Sequence, residues 1–371
     1  MFVSFWGHFS YFLQDFWVYL IILGVSSFGF LWAARRIYSS SLTDEKKMAL
    51  LASCFVAVSF AYIYSGFEFY FRYRFDQSDS LGFLKTSERW TARHVVFNNY
   101  QYRDRDFRVQ KTPGVVRVGV IGDSNTMGAG IRNPENRFSN ILEKLLNDHG
   151  YKVEVYNFGV SGFDTDQEVT EYNRRLKQFD VDLLVWQYFF NDVEEATHSA
   201  GTQILKHEQA LPRGLITFLT DHSFFFDYLY WRLAAKYDST FGEIRNADVQ
   251  QYNIPEVFNH HSDLIASFSG QLRQQNKPFV VLLLPFMYFF PNYPKEVIEI
   301  HQRMDALFRH DGATAIVEIV EDLLKKQKQD LIASPYDSHP NEYVHRLAAE
   351  KLYAAIAPLL RVASNGGTFV K

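Results

Sequence analysis

Four short polar blocks carry the residue types of nucleophilic catalysis. The first, Gly122-Asp123-Ser124-Asn125-Thr126, follows the apolar run 115–122. The second, Asn157-Phe158-Gly159-Val160-Ser161-Gly162, overlaps the end of 152–158, and the third, Phe189-Phe190-Asn191-Asp192, follows 182–188. The fourth, Ser334-Pro335-Tyr336-Asp337-Ser338-His339-Pro340-Asn341, precedes the last helical pattern. A serine hydroxyl is a weak nucleophile until an adjacent base takes its proton. His339 can be that base for Ser124. Asp337 lies two positions before His339, and in extended backbone such side chains share a face. Its carboxylate can then hold the imidazole in the useful tautomer and stabilise the imidazolium. The oxyanion of a tetrahedral intermediate needs donors. The backbone N–H of Ser124, the backbone N–H of Gly162 and the side-chain amide of Asn191 can supply three. Glycine at 162 permits unusual dihedrals and close backbone approach.

Strands alternating with helices must position these blocks. The runs 115–122, 152–158, 182–188 and 279–284 read as buried strands. Between them, 138–149, 166–179 and about 255–275 read as helices, and 341–359 as a closing helix. A proline in the first turn at Pro255 is harmless, because that N–H has no helical partner. This alternation predicts a parallel sheet covered on both faces. In such sheets active groups gather at the carboxyl ends of the strands, which is where three of the four blocks fall. A fifth strand is less distinct; 313–324 reads as a strand leading into a helix.

The four blocks, in this order, resemble the SGNH (GDSL-type) hydrolase superfamily over about residues 115–360. The resemblance places the family's serine, glycine, asparagine and histidine on Ser124, Gly162, Asn191 and His339, with Asp337 as the acid. It implies a flavodoxin-like three-layer α/β/α domain with a five-stranded parallel sheet, needing neither metal nor organic cofactor. Two departures stand out. Phe189 occupies a position that is usually glycine, and the last block reads Asp-x-His where Asp-x-x-His is common. The shorter form is similar to that of some bacterial polysaccharide acetyltransferases, whose membrane-tethered members work beside a membrane-bound acyltransferase.

The N-terminal part has a different character. Residues 16–34 and 48–67 carry no charge, and each is long enough to span a bilayer. A cleaved signal peptide would want a basic start, and buried soluble helices would show polar faces. A two-helix transmembrane hairpin is therefore expected over 1–67. The loop between the spans holds Arg35, Arg36, Lys46 and Lys47, against Arg72 and Arg74 beyond the second span. The excess places that loop in the cytoplasm. The bulk of the chain is then periplasmic or extracellular, on an inner-membrane protein with two passes. The aromatic-rich stretch 1–15 either anchors in the headgroup layer or extends the first helix. Residues 68–114 read as a polar linker, 115–362 as the hydrolase-like domain and 363–371 as a tail.

Composition bounds the alternatives. The 371 residues suit about two domains. Lys plus Arg number 38 and Asp plus Glu 42, so nothing favours nucleic acid as a partner. With 47% hydrophobic and 22% charged residues the chain is too apolar to be disordered. The aromatic share of 17% suits large cores and the membrane boundary. Cys54 is the single cysteine, which excludes an intramolecular disulfide and cysteine-rich metal sites.

Several residues have plainer readings. His260 and His261 are adjacent on a helix and point apart, as packed or surface histidines do. His198 and His207 follow the third block and read as solvated loop histidines, with reach to a substrate as the alternative. Asp123 is expected to bond the turn backbone, with a catalytic role as the alternative; orienting the loop is an alternative role for Asp192. The aromatic run 222–231 reads as a core helix, an acyl-binding wall or a membrane-dipping segment. The run 285–294 reads as a strand-end loop, with lining the site as one alternative. The expected function is a membrane-anchored serine O-acyltransferase or esterase, acting on acyl esters of an extracytoplasmic glycan through an acyl-enzyme on Ser124. A membrane-bound acyltransferase is its expected partner. The alternatives are a simple ester hydrolase and a non-catalytic subunit of a membrane complex.

Overall fold

The computed structural model describes residues 2–80, 82, 84–193, 214–237 and 249–364; His198, His207 and the end of the chain lie outside the described residues. The chain separates into two compact units. One comprises Met1–Asp76, Leu84–Thr86 and Pro212–Ala234, and the other Gln77–Phe83, Ser87–Leu211 and Ala235–Lys371.

In chain order the principal elements are α1 (Phe2–Tyr38), α2 (Asp44–Phe69), α3 (Lys85–His94), β1 (Val116–Ile121), α4 (Ser124–Met127), α5 (Phe138–Asp148), β2 (Val153–Asn157), α6 (Thr165–Arg174) and β3 (Leu183–Tyr188). There follow α7 (Leu215–His222), α8 (Phe224–Tyr237), α9 (Pro255–Gln274), β4 (Phe279–Leu283), α10 (Lys295–His310), β5 (Ala315–Glu318), α11 (Val320–Leu323), β6 (Ile332–Ser334), β7 (Asp337–Pro340) and α12 (Glu342–Ser364).

The sheet unit is built on five parallel strands in the order β2-β1-β3-β4-β5. Alternate residues feed opposite layers. Val118, Val120 and Val185 join Phe138 and Leu142 of α5 and Val344 and Leu352 of α12. Ile121, Tyr156 and Trp186 join Tyr172 of α6, Phe268 of α9 and Phe308 of α10. Burial on both faces is why the strands read as unbroken apolar runs rather than as alternating ones. The fifth strand falls within the stretch expected for it, and α11 follows. Strand order reverses at β1, so the carboxyl ends of β1 and β3 open the crevice where such sheets bind ligands.

Residues 68–114 depart from the linker expectation. Helix α2 runs on to Phe69 and ends in a π-helical turn, Tyr70–Arg74. From Ser87 the chain belongs to the sheet unit. Tyr102 and Phe107 are core residues, and Phe107 stacks on Tyr156 with ring centroids 4.3 Å apart. Arg103 is fully buried, and its guanidinium donates to the carbonyls of Gly128 and Ile131, each at 2.5 Å. Arg137, also buried, donates to the Arg103 and Met127 carbonyls. Five donors let one arginine satisfy several carbonyls. A stretch that is polar by composition therefore packs as core around Arg103, whose guanidinium binds backbone carbonyls rather than water.

In the helical unit α1 begins at Phe2, so residues 2–15 extend the first helix. Within α1 and α2, Phe16–Tyr38 and the helical stretch Asp44–Arg74 are long and apolar enough to cross a membrane. Large apolar side chains face outward, with Phe28 73% and Phe60 69% exposed. The link between the two helices is shorter than the sequence suggests, because Arg35, Arg36, Lys46 and Lys47 all sit on helix ends. The run 222–231 is divided: His222 ends α7 and Phe224 begins α8, both in this unit rather than in the sheet's core. The division has a polar cause. Glu68, fully buried, accepts from the backbone N–H groups of Phe224 and Phe225 and from the Ser223 hydroxyl. These are orphan donors of a helix N-terminus, where a carboxylate is favourable. Arg72 neutralises Glu68 at 2.8 Å and donates to the His222 carbonyl.

Candidate active site

Helix α4 starts directly after β1, and Asp123 caps it. The Asp123 carboxylate accepts from the Asn125 backbone N–H at 2.8 Å and from the Asn125 side-chain amide. The turn places Ser124 at the first helical position. Its Oγ lies 2.9 Å from His339 Nε2. His339 Nδ1 lies 2.5 Å from Asp337 Oδ1, and the same oxygen accepts the His339 backbone N–H at 3.1 Å. Asp337 and His339 belong to β7, where i and i+2 side chains share a face, so the expected three residues do come together. Gly130, at φ +79°, passes beside this strand. A Cβ there would lie 2.4 Å from the Ala333 Cβ and 3.0 Å from Asp337 Oδ2, so the acid's seat admits no larger residue.

Gly162 lies in the turn after β2 at φ +79°, and nothing stands within 4 Å of where its Cβ would be. Glycine is set there by backbone conformation, and the space beside it is open. Asn191 lies in the 3₁₀ turn Phe190–Val193 after β3. Asp192 holds that turn by accepting the Phe189 N–H at 2.7 Å. Ser124, Gly162 and Asn191 thus stand beyond the carboxyl ends of three adjacent strands, β2-β1-β3. Phe189, at the usually-glycine position, stacks on Phe286 at 5.3 Å. The Met287–Phe289 turn, in the run 285–294, lies against β7.

The electrostatics suit proton transfer. Burial alone would push the His339 pKa down, but the carboxylates of Asp337, Asp123 and Asp79 outweigh it and hold the imidazole above its ordinary value. Burial would raise the Asp337 carboxyl, yet His339 and the Ser78 hydroxyl hold it below its ordinary value. Neighbouring histidines are different. Burial takes His345 down to about 3, where its neutral Nδ1 accepts the Phe138 N–H. His261 is likewise held at about 3 and bonded to the Tyr188 hydroxyl, so it is a core group. Among the described residues no His, Cys, Asp and Glu group is placed to hold a metal ion.

Beneath the crevice lie three buried carboxyls, Asp123, Glu168 and Asp192. All are raised above ordinary values, first by burial; the charges of Asp123 and Asp164 raise Glu168 further, and those of Glu168 and Asp123 raise Asp192 further. Glu168 accepts from Trp186 Nε1 at 2.7 Å, a bond that glutamine can keep. A raised carboxyl binds its proton more tightly in the folded state, so its contribution to stability fades as pH rises through the folded value. Glu168→Gln should therefore raise Tm at neutral to alkaline pH by about 2–4 °C, the shift that about 1 kcal/mol produces in a domain of this size. The gain should shrink in acid. Thermal melts across pH check this, and a loss of Tm at pH 8 would contradict it.

The sequence profile of the GDSL-like lipase/acylhydrolase family matches residues 120–347. That is more than half of the chain, and it contains Ser124, Gly162, Asn191, Asp337 and His339. The chain belongs to this family. Among solved structures it is similar to TesA, with 17% identity over 65% of this chain and 98% of that one, at a TM-score of 0.41. It is similar to the acetylxylan esterase Axe2 from Geobacillus stearothermophilus, with 13% identity over 65% and 94% at 0.41. It is also similar to the psychrotrophic esterase EstA from Pseudoalteromonas sp., with 13% identity over 66% and 98% at 0.39. No curated protein matches.

As a GDSL-like acylhydrolase the protein is a serine hydrolase. Two groups near the Ser124–His339–Asp337 array escaped the sequence reading. One is the buried pair Arg103 and Arg137, which binds carbonyls at the end of α4. The other is Ser78-Asp79-Ser80, which meets residues more than 250 positions later. Neither carries a local signal, because each acts through backbone atoms or through distant parts of the chain.

Proposed function

We propose that this GDSL-like enzyme is a membrane-anchored serine O-acyltransferase or esterase, and that it forms an acyl-enzyme on Ser124. The observation that carries the reading is the Ser124 Oγ–His339 Nε2 contact at 2.9 Å, with Asp337 on the other ring nitrogen. Ser124 Oγ attacks the ester carbonyl carbon while His339 Nε2 takes its proton. The N–H groups of Ser124 and Gly162 and the amide of Asn191 stabilise the oxyanion. The intermediate collapses, and His339 gives its proton to the leaving alkoxide. A second hydroxyl then attacks the acyl-enzyme as His339 takes its proton, and collapse of that intermediate breaks the bond to Ser124 Oγ, which receives the proton back from His339.

The second hydroxyl separates transfer from hydrolysis. We assign it to a sugar of an extracytoplasmic glycan, with acyl groups supplied by a membrane-bound acyltransferase. Three features support transfer. The apolar helices suit retention at a bilayer, with the basic helix ends cytoplasmic. The last block is the short Asp-x-His form. Aromatic rings of the 285–294 run lie beside β7, where they could shield the acyl-enzyme and stack on a sugar. The full chain in detergent, given p-nitrophenyl acetate with and without a glycan acceptor, tests this. Transfer predicts slow release alone, then faster release with acetylated glycan once acceptor is added. Fast release indifferent to acceptor would leave a simple esterase.

A further inference from the structure

The strand that carries Asp337 and His339 is poorly supported by its own sheet. β6 and β7 form a two-stranded antiparallel ribbon of three and four residues, with an irregular register. A hairpin of that size has marginal stability in water. Yet proton transfer requires the imidazole to be held within a few tenths of an ångström.

The support comes from the beginning of the sheet unit. Ser80 lies along Tyr336–Ser338. Its backbone N–H donates to the Tyr336 carbonyl at 3.3 Å, and its Oγ accepts the Ser338 N–H at 2.7 Å. That N–H belongs to the residue between the acid and the base. The one hydroxyl proton of Ser80 then has Ser338 Oγ at 3.1 Å, and Asp337 Oδ1 and the Tyr336 carbonyl at 3.4 Å, as acceptors. Ser78, itself buried, adds its hydroxyl to the groups that favour the ionised Asp337. Asp79, between them, adds a negative charge that favours the His339 imidazolium.

We propose that the Ser78-Asp79-Ser80 segment positions the Asp337–His339 pair, with Ser80 clamping the strand that carries acid and base. The proposal rests on the acyl-enzyme reading above and deepens it. The groups that face His339 are Asp337 on its own strand, Asp123 in the turn after β1, Asp79, and His345 of α12. Of the three acidic groups, Asp79 alone belongs neither to the nucleophile turn nor to the triad. It is therefore the one that can be neutralised without disturbing either.

The test uses the full chain in detergent with p-nitrophenyl acetate, with Ser124→Ala carried alongside. Ser80→Ala should lower kcat about tenfold with KM within about twofold, the pattern of an interaction made chiefly in the transition state. Ser80→Thr keeps the hydroxyl and should recover most of the rate. Asp79→Asn should move the acid limb of the kcat/KM profile to lower pH, because a charge that favours the imidazolium is gone. Asp79→Glu should leave the limb in place. The proposal is overturned if Ser80→Ala keeps the parent kcat and Asp79→Asn leaves the limb unmoved. It is equally overturned if the Ser80→Ala loss follows a fall in Tm that threonine does not repair. If Ser124→Ala itself keeps turnover, the acyl-enzyme reading fails and this proposal fails with it. An inactive Ser124→Ala beside unchanged variants at 79 and 80 removes the positioning role alone.

Discussion

Ser124→Ala is expected to lower ester turnover by several orders of magnitude while leaving the fold intact. In the proposed acyl-enzyme the deleted oxygen is the atom that bonds to the acyl carbon, and a methyl group cannot replace it. Nucleophile and base act as a unit, so removing either costs nearly as much as removing both. The residual rate would come from oxyanion donors and from binding. Ser124 is only slightly exposed, and its backbone is fixed by the Asp123 cap, so a methyl side chain fits without rearrangement. A fluorophosphonate probe should label the parent enzyme on Ser124 and leave Ser124→Ala unlabelled. Persistent labelling in the variant would place the nucleophile elsewhere.

The second large effect belongs to Asp337. Asp337→Asn keeps the size of the side chain but loses the charge, and the amide can present its N–H to His339 Nδ1. The imidazole would then carry its proton on Nε2, facing Ser124, and could not accept the serine proton. A loss in kcat of about a thousand- to ten-thousandfold follows from that wrong tautomer. The pH profile gives an independent check. His339 must be neutral to act, and its pKa lies above the ordinary value of about 6.5, so activity falls as pH drops through that raised value. The substitution also removes the largest of the influences that raise it, so the residual acid limb should move to lower pH.

The same pair has a stability signature with a definite sign. The raised histidine stabilises the fold fully below its unfolded pKa, about 6.5, and that contribution is lost as pH rises through the folded value. The lowered aspartate stabilises above its unfolded pKa, about 3.9, and that contribution is lost as pH falls through the folded value. The ionised pair therefore stabilises most between about pH 4 and about 6.5, where His339 cannot serve as a base. The Tm difference between the parent and Asp337→Asn should peak in that window. A difference independent of pH would show that the two groups are not an ion pair.

Much of this was legible in the residues, for identifiable reasons. β1, β2, β3 and β4 are buried on both faces, so their apolar runs could be read without knowing the neighbours. Ser124, Gly162 and Asn191 follow those runs within a few residues, which makes strand-end chemistry a local signal. Phe189 departs from the usual glycine, and its ring stacks on Phe286, a contact glycine could not make. The failures are non-local. The stretch 68–114 reads as a linker because burying Arg103 depends on carbonyls of Gly128 and Ile131 that no local pattern reveals. The run 222–231 looked like one helix because its break depends on Glu68, more than 150 positions earlier. Ser80 was invisible because its partners lie at the other end of the chain.

The discontinuity of the two units sets an order of events during synthesis. The apolar helices emerge first, and until Ser223 to Phe225 are made Glu68 lacks the N–H groups it will cap. In that interval β1, β2 and β3 are completed, and these are the three neighbours β2-β1-β3 at one side of the sheet. They can pair before β4 and β5 exist to be added. The residues that activate Ser124 come later still, since Asp337 and His339 follow all five strands. Ser124 therefore leaves the ribosome as an ordinary alcohol and stays one through most of translation. Its reactivity appears only when β7 arrives and docks, so a partly made chain has no power to cleave the esters around it.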